Sequence, residues 1–188
     1  MMRPAIVVSL LLVLAGCAAP DTAGSADQQV ASRPVREPDV PYEPSPNHVV
    51  RAMLELAEVK PGDIVYDLGS GDGRIPISAA RDFGARGVGI EIDPKLVARA
   101  NANAEMAGVS DRVQFRTEDL FEADFSEATV VTLFLWPEVN IKLRPKLIAE
   151  VKPGTRVISH WHDMDEWEPA RTEWVDGRRV YLWRIPAR

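Results

Sequence analysis

Three glycines at alternating positions follow a short apolar segment and carry the strongest chemical signal in the sequence. Residues 67–73 read Asp-Leu-Gly-Ser-Gly-Asp-Gly, directly after the apolar residues 64–66. Because glycine lacks a Cβ atom, such a loop can turn tightly and lets a ligand approach the backbone. Its amide N–H groups, near the start of a following helix, predict that an anionic group such as a carboxylate or phosphate binds there.

The spacing of the glycines separates this loop from three other ligand-binding loops. A dinucleotide-binding loop places its third glycine where Arg74 stands, whereas here that glycine comes one residue early, at Gly73. A Walker phosphate loop needs Gly-Lys followed by Ser or Thr, which this loop lacks. A calcium loop starting at Asp67 would need oxygen ligands where Gly69 and Gly71 stand.

Acidic residues end the next two predicted strands. Glu91 closes the apolar run 87–91, and Asp119 follows the strand after it. A carboxylate at a strand end can accept two hydroxyl hydrogen bonds, and charge-assisted bonds of this kind are stronger than neutral ones. Asp93 is a competing acid, but it precedes a proline and is placed to cap the next helix. We therefore prefer Glu91 as the ligand residue.

A second set of polar and aromatic residues is placed to contact a reacting group. Ligands of open α/β sheets bind beyond the carboxyl ends of the strands, where we expect this set to meet. Its members are Tyr42, Glu43, Trp136, His160 and His162. Tyr42 or Glu43 could guide an amine, and Trp136 could form a wall of the reacting site. Either histidine could act as a base. The alternatives are that Trp136 belongs to the core and that Tyr42 packs over the ligand.

The segment 160–163, His-Trp-His-Asp, raises the hypothesis of a metal site. Two imidazoles at alternating positions of a strand lie on one face. The segment departs from the His-x-His-x-Asp-His pattern of metallo-hydrolases, because Met164 stands at the fourth step. We therefore predict no metal site, and exposed polar residues after the strand.

The elements that must position these residues are predicted from hydrophobic periodicity. A first helix is expected from Ser45, a hydroxyl cap followed by proline, to about Glu58. Buried strands are predicted at 64–66, 87–91, 113–115, 128–135 and 155–160. The most apolar strand, 128–135, should be central. Helices are predicted at 75–83, 94–106 and 138–151. Pro145 should kink the last helix or split it in two.

The chain is predicted to end in a β-hairpin. The segments 172–175 and 180–183 flank Asp176 and Gly177, a strong two-residue turn signal. Strands that alternate with helices and end in such a hairpin predict an α/β fold. It has a seven-stranded, mostly parallel sheet with an antiparallel hairpin at its end.

The N-terminus has the pattern of a secretory signal. Arg3 precedes an apolar run at 5–14, too short to span a bilayer, which ends in Leu-Ala-Gly-Cys. This ending resembles the lipobox of bacterial lipoproteins, which implies that residues 1–17 are the signal and lipobox and that Cys17 carries the lipid. The alternative is an apolar helix with a chance cysteine. The proline-rich residues 18–44 predict a disordered tether, which leaves 45–188 as the domain.

The resemblance to lipoproteins implies a location in the bacterial cell envelope, facing the periplasm. Contact with the membrane is then expected only through the lipid anchor, and a cytoplasmic location only if the signal is misread.

Composition limits the number of domains and the class of partner. A chain of 188 residues, 46% of them hydrophobic, is long enough for one domain with a real core. Its net charge of -6, without a cluster of Lys and Arg, argues against a nucleic-acid partner. A basic or neutral substrate and a monomer are expected. The single cysteine excludes an internal disulfide.

The acidic residue followed by x-Gly-x-Gly-x-Gly at the end of the first strand resembles the first motif of class I methyltransferases. The resemblance extends over about residues 41–183. It implies a Rossmann-like fold and S-adenosyl-L-methionine as cofactor. Asp67 and the loop amides would hold its methionine end, Glu91 its ribose hydroxyls, and Asp119 would lie by the adenine amino group. The cofactor-binding residues implied are Asp67, Gly69, Ser70, Gly71, Gly73, Glu91 and Asp119.

Further segments are similar to a small lysine methyltransferase family, which modifies the mitochondrial ATP synthase c subunit and adenine nucleotide translocase. They are residues 40–45, 65–75, 134–137, 154–159 and 167–169. The similarity implies methyl transfer to an amine, on a protein lysine or on another protein or small-molecule acceptor. Its catalytic candidates are Tyr42, Glu43, Trp136 and His160.

The chain departs from that family at its N-terminal signal and at residues 160–163, where relatives are more apolar and basic. Export would also separate the enzyme from S-adenosylmethionine, a cytoplasmic metabolite. The alternative function is therefore a non-catalytic envelope lipoprotein that uses the fold to bind an adenosine ligand or as a scaffold.

Overall fold

Seven strands and four helices form residues 36–188, the part of the chain that the computed structural model describes. The strands are β1 (Ile64–Leu68), β2 (Arg86–Glu91), β3 (Val113–Thr117), β4 (Val130–Leu133), β5 (Arg156–His160), β6 (Arg171–Val175) and β7 (Arg178–Arg184). The helices are α1 (Asn47–Leu56), α2 (Arg74–Phe83), α3 (Pro94–Met106) and α4 (Pro137–Glu150). The predicted signal at 1–17, with Cys17, lies outside the described residues.

The seven strands form one sheet in the order β3-β2-β1-β4-β5-β7-β6. Strands β1 to β5 run parallel, and β7 pairs antiparallel with both β5 and β6. This confirms the predicted α/β class, the central place of β4 and the terminal hairpin. The order changes direction between β1 and β4, and ligands of such sheets bind at this switch point.

Side chains of alternating strand residues pack against helices on both faces of the sheet. Val65 contributes to the core shared with α1, which includes the fully buried Met53. Tyr66, the next residue, contributes to the opposite core, which includes Leu143 of α4. Each buried side chain of this size contributes about 1.5–3 kcal/mol of hydrophobic free energy. Both faces of the central strands are therefore covered, which fixes the strand ends where the site forms.

Three predicted boundaries differ from the structure. Helix α1 begins after Pro46, and Ser45 does not cap it; the Ser45 hydroxyl instead lies 2.9 Å from His160 Nδ1. Helix α4 continues through Pro145 as one helix, so the predicted split is absent, and the alternative of a kink stays a prediction. Residues 36–44, predicted as tether, belong to the same compact unit as the sheet. The predicted cap at Asp93 is confirmed, since its carboxylate accepts a hydrogen bond from the Lys95 amide at 2.8 Å. Among the described residues, no helix is long and apolar enough to cross a membrane.

Gly73 is required for helix packing. It caps α2 at a φ of +80°, and a Cβ atom added there would lie 2.5 Å from the Phe115 ring and 2.9 Å from Ala100 Cβ. We expect Gly73→Ala to lower the free energy of unfolding by about 2–3 kcal/mol, from crowding and backbone strain together. Urea denaturation measures this change in the free energy of unfolding. Gly154→Ala is the control, because among described residues beyond its chain neighbours nothing lies within 4 Å of its added Cβ at a φ of +85°. Equal losses in both variants would show that crowding contributes nothing.

Candidate functional site

A cavity of about 340 Å³ lies at the carboxyl ends of the central strands. Its floor is formed by the glycine loop after β1 and by the ends of β2 and β4. Its other wall is residues 36–45, an extended segment that we call the strap. The volume falls within the range of about 300–1,000 Å³ that small-ligand sites occupy. The sequence-predicted residues that line it are Tyr42, Glu43, Asp67, Gly69, Ser70, Gly71, Glu91 and Asp119.

The amides of the glycine loop are already hydrogen-bonded within the protein. The N–H groups of Gly69 and Ser70 donate to the Ile90 carbonyl at 2.9 and 3.0 Å. The Gly71 N–H donates to Glu91 Oε2 at 2.8 Å. These three amides are therefore satisfied within the protein, and binding of an anionic group at the loop stays a prediction. The loop amides fasten the end of β1 to the end of β2, and the missing Cβ atoms leave space.

The charge of the cavity favours a cation. Asp67 is 3% exposed, and its burial, together with the nearby carboxylates of Glu91 and Asp72, raises its pKa to about 7. The Thr132 hydroxyl donates to Asp67 at 2.6 Å, which opposes this rise. A buried carboxylate among other carboxylates gains most from a positively charged ligand, because the ligand's charge offsets their repulsion. A sulfonium or ammonium group meets this requirement.

Glu91 is held rigidly at the end of β2. Its Oε1 accepts hydrogen bonds from the amides of Ile92 at 2.8 Å and Asp93 at 3.0 Å, and its Oε2 accepts the one from Gly71. The carboxylate is 8% exposed and lines the cavity. These three donors fix its orientation, so a ligand meets a positioned acceptor.

Asp119 is paired with a residue that the sequence analysis missed. The Arg36 guanidinium donates from Nε to Asp119 Oδ2 at 2.6 Å and from Nη2 to Oδ1 at 3.2 Å. It also donates to Asp39 at 2.6 Å. This fastens the start of the strap to the end of β3. No sequence signal pointed to Arg36, because it lies in a proline-rich stretch 83 residues from its partner.

The other end of the strap is fastened at Ser45. Its hydroxyl lies 2.9 Å from His160 Nδ1, and its carbonyl accepts a hydrogen bond from Arg74 Nη1 at 2.8 Å. Between the two ends, the Tyr42 ring lies so close to the glycine loop that a Cβ atom at Gly71 would be 2.5 Å from it. Burial, and then the charge and hydrogen bond of Asp72, raise the pKa of Tyr42, so its hydroxyl stays protonated at neutral pH.

The four catalytic candidates divide into two pairs. Tyr42 and Glu43 line the cavity, whereas Trp136 and His160 are not among the described residues that line it. His160 is fully buried, and its burial, followed by the charge of Arg178, lowers its pKa to about 4. It is therefore a neutral ring that holds Ser45, and this geometry does not support its predicted role as a base. Trp136 is 51% exposed at the start of α4.

Phe134 is the cavity residue whose own role the sequence analysis did not identify. It follows β4, lines the cavity, and packs on the His160 ring with centroids 4.2 Å apart. Its sequence signals were its place near the end of the most apolar predicted strand and its membership of the family-like segment 134–137. Within residues 36–188, no three His, Cys, Asp or Glu side chains are grouped so as to hold a metal ion.

The chain resembles known proteins over most of the described region. The family model described as the ANTKMT methyltransferase domain matches residues 67–171. A protein-lysine N-methyltransferase of Saccharolobus islandicus is 50% identical over 153 residues, 79% of this chain and 95% of the relative. An adenine nucleotide translocase lysine N-methyltransferase of Mus musculus is 36% identical over 78% of this chain and 63% of the mouse protein.

One solved structure is also similar in both sequence and fold. It is an RNA methyltransferase from Salinibacter ruber in complex with S-adenosyl-L-homocysteine. It is 61% identical, with a TM-score of 0.77, and the match covers 78% of this chain and 95% of that one.

Proposed function

Because the chain belongs to the ANTKMT methyltransferase domain family and is an S-adenosylmethionine-dependent methyltransferase, we propose that it methylates the side-chain amine of a protein lysine. The observation that carries the proposal is the position of Glu43. This carboxylate, 58% exposed, lines the cavity beside Tyr42 and can receive an ammonium group as it arrives from solvent. The names of the two relatives described above, both lysine methyltransferases, support the proposal.

The cavity residues fit S-adenosylmethionine in charge and in the kinds of group they offer. Asp67 would face the cationic methionine end, Glu91 would accept the ribose hydroxyls, and Asp119 would accept from the adenine amino group while sharing its oxygens with Arg36. Within the described chain, the buried Ser70 hydroxyl among the lining residues has no hydrogen-bond partner. The bound cofactor supplies a methyl group on a positively charged sulfur. A neutral amine can attack the methyl carbon and displace the sulfur.

The chain's own residues must position that amine in its neutral, deprotonated form. A lysine ammonium held beside Glu43 releases one proton to water. The freed nitrogen lone pair would then accept the cofactor's methyl group, the electron pair of the broken S–C bond would stay on sulfur as a neutral thioether, and the product would leave as a methylated ammonium. Phe134 and Tyr42 narrow the approach, and positioning of this kind supplies much of the rate of an in-line displacement.

Methylation of an envelope-protein extract tests the acceptor. The extract comes from cells that lack this protein, and a matched portion has its lysines blocked by acetylation. We expect methyl label from S-adenosylmethionine in the first portion, recovered as methyl-lysine after hydrolysis, and its loss from the second. Equal labelling of both portions, or label found in added total RNA instead, would overturn the lysine proposal.

The alternative of a non-catalytic module finds no support among the relatives. Both curated relatives are named as methyltransferases, and the similar solved structure holds S-adenosyl-L-homocysteine, the cofactor after loss of its methyl group.

The lipid anchor is a separate proposal that rests on the sequence of residues 1–17 alone. We expect Cys17 to incorporate a labelled lipid precursor in bacterial cells and Cys17→Ser to lose that label. The wild-type protein should be found in the membrane fraction. Unlabelled wild-type protein in the soluble fraction would contradict the anchor and the periplasmic location that follows from it.

A further inference from the structure

Four planar side chains form a continuous stack that leads from the cavity to the protein surface. They are Phe134, His162, Trp161 and Arg178, and we call them the ladder. We propose that the ladder is the surface on which the acceptor segment lies, and that this segment is a basic peptide around the target lysine. The inference rests on the proposed function, since it assumes that a lysine enters the cavity.

The ladder has nearly parallel rings. Phe134 and His162 have centroids 6.3 Å apart at 13°, and His162 and Trp161 have centroids 5.2 Å apart at 18°. The Arg178 guanidinium lies 4.0 Å from the centroid of the Trp161 ring. Phe134 lines the cavity and Trp161 is 43% exposed, so the stack connects the reacting site with solvent.

Arg178, at the outer end of the ladder, lies close to Glu43, a residue that lines the cavity. Arg178 Nη1 lies 3.7 Å from Glu43 Oε1, and Glu43 is itself a cavity-lining residue of the strap. Both ends of the ladder therefore contact the lining. A peptide whose lysine side chain reaches into the cavity has to place its neighbouring residues beside these rings.

Trp161 is held in an uncommon backbone conformation. Its φ of +69° lies in the left-handed region, which disfavours bulky side chains. A hydrogen bond from its amide to the Arg179 carbonyl at 2.7 Å fixes the turn. The core does not require this ring, because it is 43% exposed. Residues held in such strained backbone conformations cluster at functional sites.

The charges around the ladder determine which partner fits. Burial of the His162 ring lowers its pKa, but Asp163, Glu138 and Glu43 lie close enough to act against this. Asp163 and Glu138 are exposed. The nearby cation, Arg178, faces Glu43. Carboxylates beside exposed aromatic rings attract Lys and Arg side chains through charge. The same carboxylates repel phosphates, which disfavours RNA on this surface.

The chain contains a matched control for the outer half of the ladder. Arg179 lies over Trp174 with 5.1 Å from guanidinium to ring centroid, and Trp174 is 68% exposed on β6 at the edge of the sheet. Trp161→Ala and Trp174→Ala therefore remove similar exposed rings, and Arg178→Gln and Arg179→Gln remove similar stacked cations. In each pair, one residue belongs to the ladder and the other does not.

The experiment uses the full chain and two synthetic peptides with one lysine each, flanked by arginines in one and by glutamates in the other. We expect the wild type to have the lower KM for the basic peptide. Trp161→Ala should raise that KM about tenfold, as truncation of an aromatic contact residue in a binding surface commonly does, with the Kd for S-adenosylmethionine unchanged. Trp174→Ala should leave both constants as in the wild type. Glu138→Lys should reduce the preference for basic flanks.

Each outcome decides between the two proposals. If the wild type methylates neither peptide at lysine, the proposed function fails and the inference fails with it. If it methylates lysine but the flanks and Trp161→Ala have no more effect than Trp174→Ala, the ladder inference alone is overturned. If Trp161→Ala impairs methylation of added RNA and not of peptides, the surface serves a nucleic acid and the inference is also overturned.

Discussion

Gly71→Val is expected to weaken S-adenosylmethionine binding on the order of 100-fold while the protein stays folded, which corresponds to about 3 kcal/mol. The expected cause is crowding at the cavity, because a Cβ atom at Gly71 would lie 2.5 Å from Tyr42 Cε2 and 2.9 Å from Cδ2. Tyr42 is 41% exposed, so its ring can move outward and the core stays intact. Isothermal titration calorimetry measures the affinity, and circular dichroism measures the fold.

Two further variants separate crowding from backbone strain in that experiment. Gly154→Val places the same side chain at a φ of +85°, where nothing described beyond the chain neighbours lies within 4 Å of the added Cβ. It should bind the cofactor as the wild type does. Adding Tyr42→Ala to Gly71→Val should recover part of the affinity. Normal binding by Gly71→Val alone would show that the loop does not shape the cofactor site.

Asp67→Asn is expected to lose cofactor affinity and to gain thermal stability, two effects of opposite sign. Burial raises the pKa of Asp67 to about 7, while the unfolded chain ionises near the ordinary value of 3.8. The native protein then holds a proton between about pH 4 and 7 that the unfolded chain has lost, so stability falls as pH rises through this range. Above pH 7 the loss of folding stability caused by ionising Asp67 is complete, at about 4 kcal/mol. Asparagine has no charge to bury and avoids this loss of stability, and its side-chain oxygen can still accept the hydrogen bond from Thr132.

Cofactor affinity should rise as Asp67 ionises, whereas folding stability falls. A cationic ligand favours the ionised carboxylate, so the affinity of the wild type should rise between pH 6 and pH 8, and this slope should vanish in Asp67→Asn. Scanning calorimetry at pH 5 and pH 8 should show the larger gain in Tm at pH 8. A variant that binds the cofactor normally at every pH would show that Asp67 is not a ligand residue.

Asp63 provides the matched control for Asp67. It is buried at the start of β1, but Thr129, Lys60 and Arg156 donate hydrogen bonds to it and lower its pKa, against the opposing effect of burial. Its ionised form therefore stabilises the native state above its ordinary pKa and loses this effect as pH falls. Asp63→Asn should lower the Tm at pH 8, opposite to Asp67→Asn, and should leave cofactor affinity unchanged.

The sequence predicted those features that depend on nearby residues. The hairpin around Asp176 and Gly177, the cap at Asp93 and the end of α2 at Phe83 each follow from the conformation of a few consecutive residues, and all three are present. The order of glycines and acids also placed the cavity at the correct strand ends.

Features set by distant partners were not predicted. Ser45 matched a local cap pattern, yet it bonds to His160, 115 residues away. The loop amides were expected to be free, but their acceptors come from Ile90 and Glu91 on the neighbouring strand. Pro145 is tolerated within α4 because it lies on the exposed side, where water can satisfy the carbonyl whose intrahelical bond is lost.

The strap has a practical consequence for any shortened form of this protein. The boundary suggested by composition, at residue 45, would remove the nine residues before it that form one wall of the cavity, including Arg36 and Tyr42. The sheet and helices would remain, so such a fragment should still be expressed and fold. It would bind its cofactor poorly, and an assay on it alone would lead to the mistaken conclusion that an active enzyme is a pseudoenzyme.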